Sequence, residues 1–194
     1  MSTDATIQTD GRDRVLIITL NRPDALNAQN QDMRDRLVDA LDRLDSDDEL
    51  RVGILRGAGR CFSAGADLKE GALAAGTGGA NVDRAALIRH FERLNSTTKP
   101  LIAVVHGWAM GGGFELALCC DMRGAADDAR FALPEPRKIG AVAGIAVHRL
   151  TQMIPTGEAM RLLLTAQPID ARRAHAIGLV QELAADADAA LEVA

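Results

Sequence analysis

Short apolar runs alternate with amphipathic segments along the first half of this chain. The runs at 15–20, 52–55 and 101–105 are rich in Val, Ile and Leu, and they predict buried strands. Segment 29–45 carries apolar residues at helical spacing with charges between them, which predicts an amphipathic helix. The apolar positions of that helix are Met33, Leu37, Leu41 and Leu44. Alternating strands and helices indicate right-handed crossovers and an α/β core.

A segment of small residues precedes the third predicted strand. Residues 71–81 contain four glycines and four alanines without a clear period, which predicts a mobile loop. Asp83 is predicted to cap the helix that follows. The apolar face of that helix consists of Leu87, Ile88, Phe91 and Leu94.

Two passages, 61–70 and 106–116, each follow an apolar run and are predicted to open a helix. Small residues at a helix start let a ligand approach free backbone N–H groups, where the helix dipole favours negative charge. Two such groups aimed at one point would form an oxyanion hole. Glu115 lies in the second passage and Glu135 follows it in the sequence. This combination predicts acid/base chemistry next to a carbonyl group.

Composition narrows the possible partners. The 194 residues are 47% hydrophobic and 3% aromatic, with a net charge of −5, so base-stacking surfaces and nucleic-acid binding are not expected. The three cysteines show neither a disulfide framework nor metal-ligand spacing, and no metal site is predicted. The start lacks signal-peptide features and no apolar run reaches membrane length, so a cytoplasmic protein without a membrane partner is expected.

Two other segments only partly match known functional motifs. Residues 57–62 follow a strand, but Phe62 replaces the third glycine of a dinucleotide-binding finger. Ser63 lacks the first glycine of a nucleophile elbow, because Cys61 stands there.

Several segments together resemble the crotonase (enoyl-CoA hydratase/isomerase) superfamily in order and spacing. The matching positions are 20–28, 64–69, 108–116, Asp121, 131–135 and 169–180. The resemblance spans about residues 14 to 183. It implies one domain over 1–194, built as an α/β coil of repeated strand-strand-helix turns. Members usually continue further, so the C-terminal helices are expected to be truncated or unseen, with an unfinished helix at 184–194.

The resemblance also implies a substrate and a site. The substrate would be an enoyl-CoA thioester, with no separate cofactor because coenzyme A is part of it. The N–H groups of Ala66 and Gly112 would bind the thioester oxygen, Glu115 would activate water and Glu135 would deliver the α-proton. The implied substrate-binding residues are Ala25, Leu26, Ala64, Ala66, Asp67, Leu68, Lys69 and Gly112. A homotrimer or a dimer of trimers is implied as the assembly.

Three functions remain open at this point. Paired glutamates favour an enoyl-CoA hydratase, while isomerisation or a carnitinyl-CoA dehydratase-like reaction is a second possibility. A member that only binds acyl-CoA is the third. Segment 140–146 lacks the proline and paired glycines often found there, which predicts a reshaped acyl pocket.

Individual residues also have simpler interpretations. Asp67 is expected to cap the following helix. Glu135 is expected on a rigid, non-helical stretch where Arg137 neutralises it. His106 and His148 are expected to be packed or exposed rather than catalytic, because no second base or nucleophile stands beside them in the sequence.

Overall fold

The computed structural model describes residues 5–70, 84–138, 140 and 144–194. The predicted loop 71–81, the predicted cap Asp83 and residues 141–143 of the acyl-pocket segment lie outside the described residues. The strands are β1 Ile7–Arg12, β2 Val15–Leu20, β3 Val52–Gly57, β4 Leu101–Val105, β5 Trp108–Met110, β6 Met122–Ala126, β7 Arg130–Ala132, β8 Ile169–Asp170 and β9 Glu182–Ala184. The helices are α1 Gln31–Ser46, α2 Arg84–Asn95, α3 Gly112–Cys119, α4 Glu135–Lys138, α5 Gly144–Met153, α6 Thr156–Thr165, α7 Ala171–Ala176 and α8 Ala187–Val193, with a 3₁₀ turn at Pro23–Ala25.

Two sheets organise the described part of the chain. The larger one has the strand order β1-β2-β3-β4-β6-β9, and all its neighbours are parallel except the antiparallel pair of β1 and β2. Its register places Ile54 between Ile17 and Ile102. The smaller sheet has the order β5-β7-β8. The three apolar runs therefore form adjacent parallel strands, as the alternating pattern predicts.

Helix α1 confirms the amphipathic interpretation of segment 29–45. The side chain of Asn30 accepts a hydrogen bond from Met33 N at 3.0 Å and caps the helix. All four predicted apolar positions are at most 1% exposed. Burial of each such side chain contributes about 1.5–3 kcal/mol, so this face fixes how α1 packs on β2 and α2.

The aromatic core lies where the two predicted passages meet. Phe62, Phe114 and Phe131 are fully buried, and the rings of the latter two lie 5.3 Å apart. Phe62 and Phe114 belong to one buried cluster, and the hydrogen bonds from Phe62 N to His106 O at 2.9 Å and from Ser63 N to Trp108 O at 3.0 Å join the two predicted passages.

The structure corrects two expectations about local conformation. The second passage does not run from β4 straight into a helix, because the short strand β5 intervenes. Glu135 is not on a non-helical stretch but begins helix α4, with the Pro134 carbonyl accepting from Arg137 N and Lys138 N. Pro136 is compatible with this helix because a proline in the first turn has no N–H that the helix needs.

Candidate active site

Asn27 fixes the loop that leads into the first passage. It is fully buried, with φ of 53°, a left-handed conformation that Asn tolerates. Its side-chain amide donates to the carbonyls of Ala58, Cys61 and Phe62 at 2.8, 2.8 and 3.1 Å. The two N–H groups of this side chain are thus shared among three carbonyls of the loop.

Gln29 sets the direction of the Ala66 N–H group. Its backbone N–H donates to Gly65 O at 2.8 Å, and its carbonyl accepts from Asp67 N at 3.2 Å. Because this pairing uses the groups on either side of Ala66, the Ala66 N–H points away from Gln29. Within the described residues the Ala66 N–H donates no hydrogen bond.

The Gly112 N–H is the second free donor. Gly112 is the first residue of α3, so its N–H has no partner inside that helix, and none occurs elsewhere in the described segments. A Cβ atom built on Gly112 would lie 3.6 Å from Ala66 N, and one built on Gly65 would lie 3.0 Å from Gly112 N. The fold therefore brings the two predicted donors together.

A cleft of about 210 Å³ opens beside these donors. It is lined by Ala64, Gly65, Ala66, Leu68, Met110, Gly111, Gly112, Pro134, Glu135 and Lys138. The lining thus includes five predicted site residues, namely Ala64, Ala66, Leu68, Gly112 and Glu135. The predicted residues outside the lining are Ala25, Leu26, Asp67, Lys69 and Glu115.

Glu135 is the acid inside this cleft. Its Oε2 atom is buried and has no hydrogen-bond partner among the described residues. Burial raises the pKa of Glu135, while its own backbone N–H and the charge of Lys138 lower it. The charge that lowers the pKa of Glu135 is thus that of Lys138 and not that of Arg137, which corrects the expectation that Arg137 neutralises this carboxyl group.

Glu115 is held at the start of α5. Its Oε1 atom accepts from Ile145 N at 2.9 Å and Ala146 N at 3.2 Å. Burial is the largest cause that raises the pKa of Glu115, these two N–H groups oppose it, and the charge of Glu135 raises it further. Both glutamates therefore have raised pKa values, and burial contributes more than like-charge repulsion.

Asp67 performs the predicted capping role. Its Oδ1 atom accepts from Lys69 N at 3.1 Å in a helix that begins at Leu68. Its Oδ2 atom pairs with Arg22 at 2.9 Å, and this bond is the main reason why the pKa of Asp67 is lowered. The pair ties the turn that contains Ala25 and Leu26 to the edge of the cleft, while the Lys69 side chain is exposed.

The histidines divide as expected, with one addition. His106 is buried with Nε2 at 2.9 Å from Gly59 O, and His148 is exposed. His90 on α2 is also buried, and its Nε2 atom lies 3.0 Å from Gln29 Oε1. Sequence reasoning missed this pair because the two residues are 61 positions apart. The one feature of the sequence that pointed to this pair is His90 itself, a polar residue on an otherwise apolar helix face.

The described residues contain neither a metal-binding cluster nor a membrane-spanning helix. No group of three or more His, Cys, Asp or Glu side chains there is placed to hold a metal ion. Among the helices described, none has both the length and the apolar character required to cross a bilayer.

The fold is α/β, its cleft combines the N–H groups of Ala66 and Gly112 with the buried carboxyl group of Glu135, and comparison with known proteins gives its family. Residues 10–193 match the family described as Enoyl-CoA hydratase/isomerase, and the chain belongs to that family. A Mycobacterium leprae protein named "Probable enoyl-CoA hydratase" is 42% identical over 179 residues, covering 92% of this chain and 68% of the relative. The "2,3-dehydroadipyl-CoA hydratase" of Escherichia coli is 39% identical over 171 residues, covering 88% and 66%.

Solved structures agree with this assignment. The crystal structure of an enoyl-CoA hydratase from Mycobacterium marinum has a TM-score of 0.87 at 45% identity, covering 98% of this chain and 73% of that one. An enoyl-CoA hydratase structure from Bacillus anthracis has the same TM-score at 32% identity, covering 97% and 73%. The crotonase fold expected from the sequence is confirmed, and the chain is an enoyl-CoA hydratase-like enzyme, a lyase.

Proposed function

We propose that this chain adds water across the 2,3 double bond of an enoyl-CoA thioester. The observation that supports this most is the convergence of the Ala66 and Gly112 N–H groups, which have no hydrogen-bond partner among the described residues, in a cleft that also contains Glu135. No separate cofactor is needed, because the thioester itself supplies the carbonyl that the N–H groups polarise. Coenzyme A enters as part of the substrate.

The two N–H groups stabilise negative charge on the thioester oxygen. As water attacks C3, the π electrons move through C2 and C1, and an enolate oxygen develops. Donors that are already fixed by the backbone bind this oxygen more strongly than the neutral carbonyl, which lowers the barrier. Loss of one such donor costs about 3 kcal/mol in other enzymes, so this pair accounts for much of the rate.

The contacts of the two glutamates assign their roles. Glu115 accepts two backbone hydrogen bonds, which favour its ionised form, so it accepts the proton of the attacking water. Glu135 has a buried oxygen without a partner in the described part of the chain, which favours its protonated form. It therefore donates a proton to C2. After hydration the proton released by water resides on Glu115. In the reverse reaction Glu135 accepts the proton from C2 and Glu115 donates a proton to the leaving hydroxyl group.

The test is steady-state hydration of crotonyl-CoA by the unsubstituted chain and its Glu115→Gln and Glu135→Gln variants. Each substitution should lower kcat by about 10²-fold or more with a smaller effect on KM. Glu182→Gln is the matched control, because Glu182 is exposed on β9 and should leave kcat unchanged. Near-normal turnover by either active-site variant would exclude that residue from the mechanism.

A second candidate reaction is double-bond isomerisation. Glu115 lies outside the cleft lining, and a single carboxylate that moves one proton between C2 and C4 suffices for this reaction. Two results together would favour isomerisation. The unsubstituted chain would not hydrate an enoyl-CoA, and Glu115→Gln would still isomerise 3-enoyl-CoA. A carnitinyl-CoA dehydratase-like enzyme would turn over only substrates with a polar acyl group. Binding of acyl-CoA without turnover would indicate a member that only binds acyl-CoA.

We propose further that the protein is cytoplasmic and assembles as a homotrimer or a dimer of trimers. Support for assembly comes from large apolar side chains outside the cleft that are exposed in the single chain, including Leu164 at 60% and Met160 at 42%. Light scattering measures the assembly directly. A fully active monomer would refute this part of the proposal.

A further inference from the structure

A buried polar cluster lies behind the two N–H donors. Gln29, Arg34 and His90 are 4%, 7% and 2% exposed. Arg34 donates to the Gln29 carbonyl at 2.8 Å and to Glu70 at 3.0 Å. Polar groups are seldom buried without a function or a full set of partners, so this cluster requires an explanation.

His90 orients the side-chain amide of Gln29. Desolvation and the nearby Arg34 charge lower the pKa of His90 to about 4, so its ring is neutral at physiological pH. A neutral imidazole has one N–H, and because Gln29 Oε1 can only accept, its 3.0 Å contact with His90 Nε2 assigns that N–H to Nε2. This hydrogen bond engages Oε1 and leaves the amide Nε2 of Gln29 free to donate elsewhere.

That Nε2 group borders the same space as the two backbone donors. It is buried and has no hydrogen-bond partner among the described residues. A Cβ atom built on Gly112 would lie 3.4 Å from Gln29 Nε2 and 3.6 Å from Ala66 N. Gln29 Oε1 lies 3.7 Å from the same point, so the whole amide lies beside Gly112, directly behind the cleft lining that contains Ala66 and Gly112.

We infer that Gln29 Nε2 donates a third hydrogen bond to the thioester carbonyl oxygen, and that His90 is the positioning residue that fixes its amide. This inference rests on the proposed function. A purely structural role explains less, because the backbone of Gln29 alone bridges Gly65 and Asp67. An apolar side chain would fill the same space without burying an unpaired N–H.

The first test compares Gln29→Met with the unsubstituted chain in crotonyl-CoA hydration. Met has a similar length but no donor, so kcat should fall by about 10²-fold while KM changes little. Gln167→Met is the matched control, because Gln167 is exposed in the loop after α6 and its kcat should not change. Equal kcat values for Gln29→Met and the unsubstituted chain would overturn the inference.

The second test does not depend on turnover. Butyryl-CoA labelled with ¹³C at the carbonyl is saturated and cannot be hydrated, and its bound carbonyl resonance reports polarisation by hydrogen bonds. The resonance should lie downfield of the free value in the unsubstituted chain, and Gln29→Met should move it partly back. An unchanged or further downfield resonance in Gln29→Met would refute the third donor. Failure of the unsubstituted chain to bind butyryl-CoA would instead refute the proposed function and the inference with it.

The role of His90 is tested through Gln29. His90→Phe retains a ring of similar size but leaves Oε1 of Gln29 without its donor. It should lower kcat in the unsubstituted background and cause no further loss in the Gln29→Met background. Additive losses would show that His90 acts independently. If Gln29→Met does not fold, Gln29→Glu keeps an acceptor for His90 while removing the donor, and the same loss of carbonyl polarisation is expected.

Discussion

The carboxylate of Glu135 packs directly against the backbone of Gly111. A Cβ atom on residue 111 would lie 2.6 Å from Glu135 Oε1, and Gly111 adopts φ of 53° and ψ of −124°. This backbone conformation is accessible essentially only to glycine. Gly111, which precedes the proposed donor Gly112, therefore also packs against the proposed acid Glu135.

Gly111→Ala should displace Glu135 and strain the entry to α3. We expect a loss of about 1–3 kcal/mol in the free energy of unfolding and a kcat for crotonyl-CoA that is at least tenfold lower. Gly157→Ala is the control, because no atom of the described residues lies within 4 Å of a Cβ there and the residue is inside α6. Urea denaturation and steady-state kinetics measure both effects. Equal behaviour of the two variants would contradict the packing argument.

Asn27→Ala should be among the more destabilising single substitutions in the site. It removes the donor to three carbonyls and leaves alanine in a left-handed conformation. An unsatisfied buried acceptor costs about 1–3 kcal/mol, so we expect a total loss of about 3 kcal/mol or more in the free energy of unfolding. Asn95→Ala, at an exposed position, should cost less than about 1 kcal/mol. A small loss for Asn27→Ala would mean that the loop is held by other contacts.

The sequence predicted those elements whose hydrophobic pattern extends over several consecutive residues or helical turns. Apolar runs such as 101–105 and the four-position face of α1 specify buried elements by themselves. The donors Ala66 and Gly112 were placed by the resemblance, and the structure brings them together.

Other features depend on contacts that no local pattern encodes. Strands β5 and β7 have three residues each, too few for a period. The helical start at Glu135 depends on the Pro134 carbonyl, and prolines suggested the opposite. The Gln29–His90 pair joins distant segments, so only the folded chain shows it.

Lys138→Met should change the pH dependence of hydration in a defined direction. The charge of Lys138 lowers the pKa of Glu135, so removing it raises that pKa. Hydration requires protonated Glu135 and therefore declines as pH rises through this pKa. The alkaline limb of the kcat profile should accordingly move to higher pH in Lys138→Met.

Arg137→Met is the matched control for this shift. Arg137 precedes Lys138 on α4 but is not among the groups that change the pKa of Glu135. Its profile should coincide with that of the unsubstituted chain. An alkaline limb that moves to lower pH in Lys138→Met, or equally in both variants, would contradict the assignment of Glu135 as the acid.

The most direct test of the account is a crystal structure of this chain with bound butyryl-CoA. We predict that the carbonyl oxygen lies about 2.7–3.1 Å from both Ala66 N and Gly112 N, with Glu135 beside C2. A thioester bound elsewhere, or one whose carbonyl oxygen faces solvent, would contradict it.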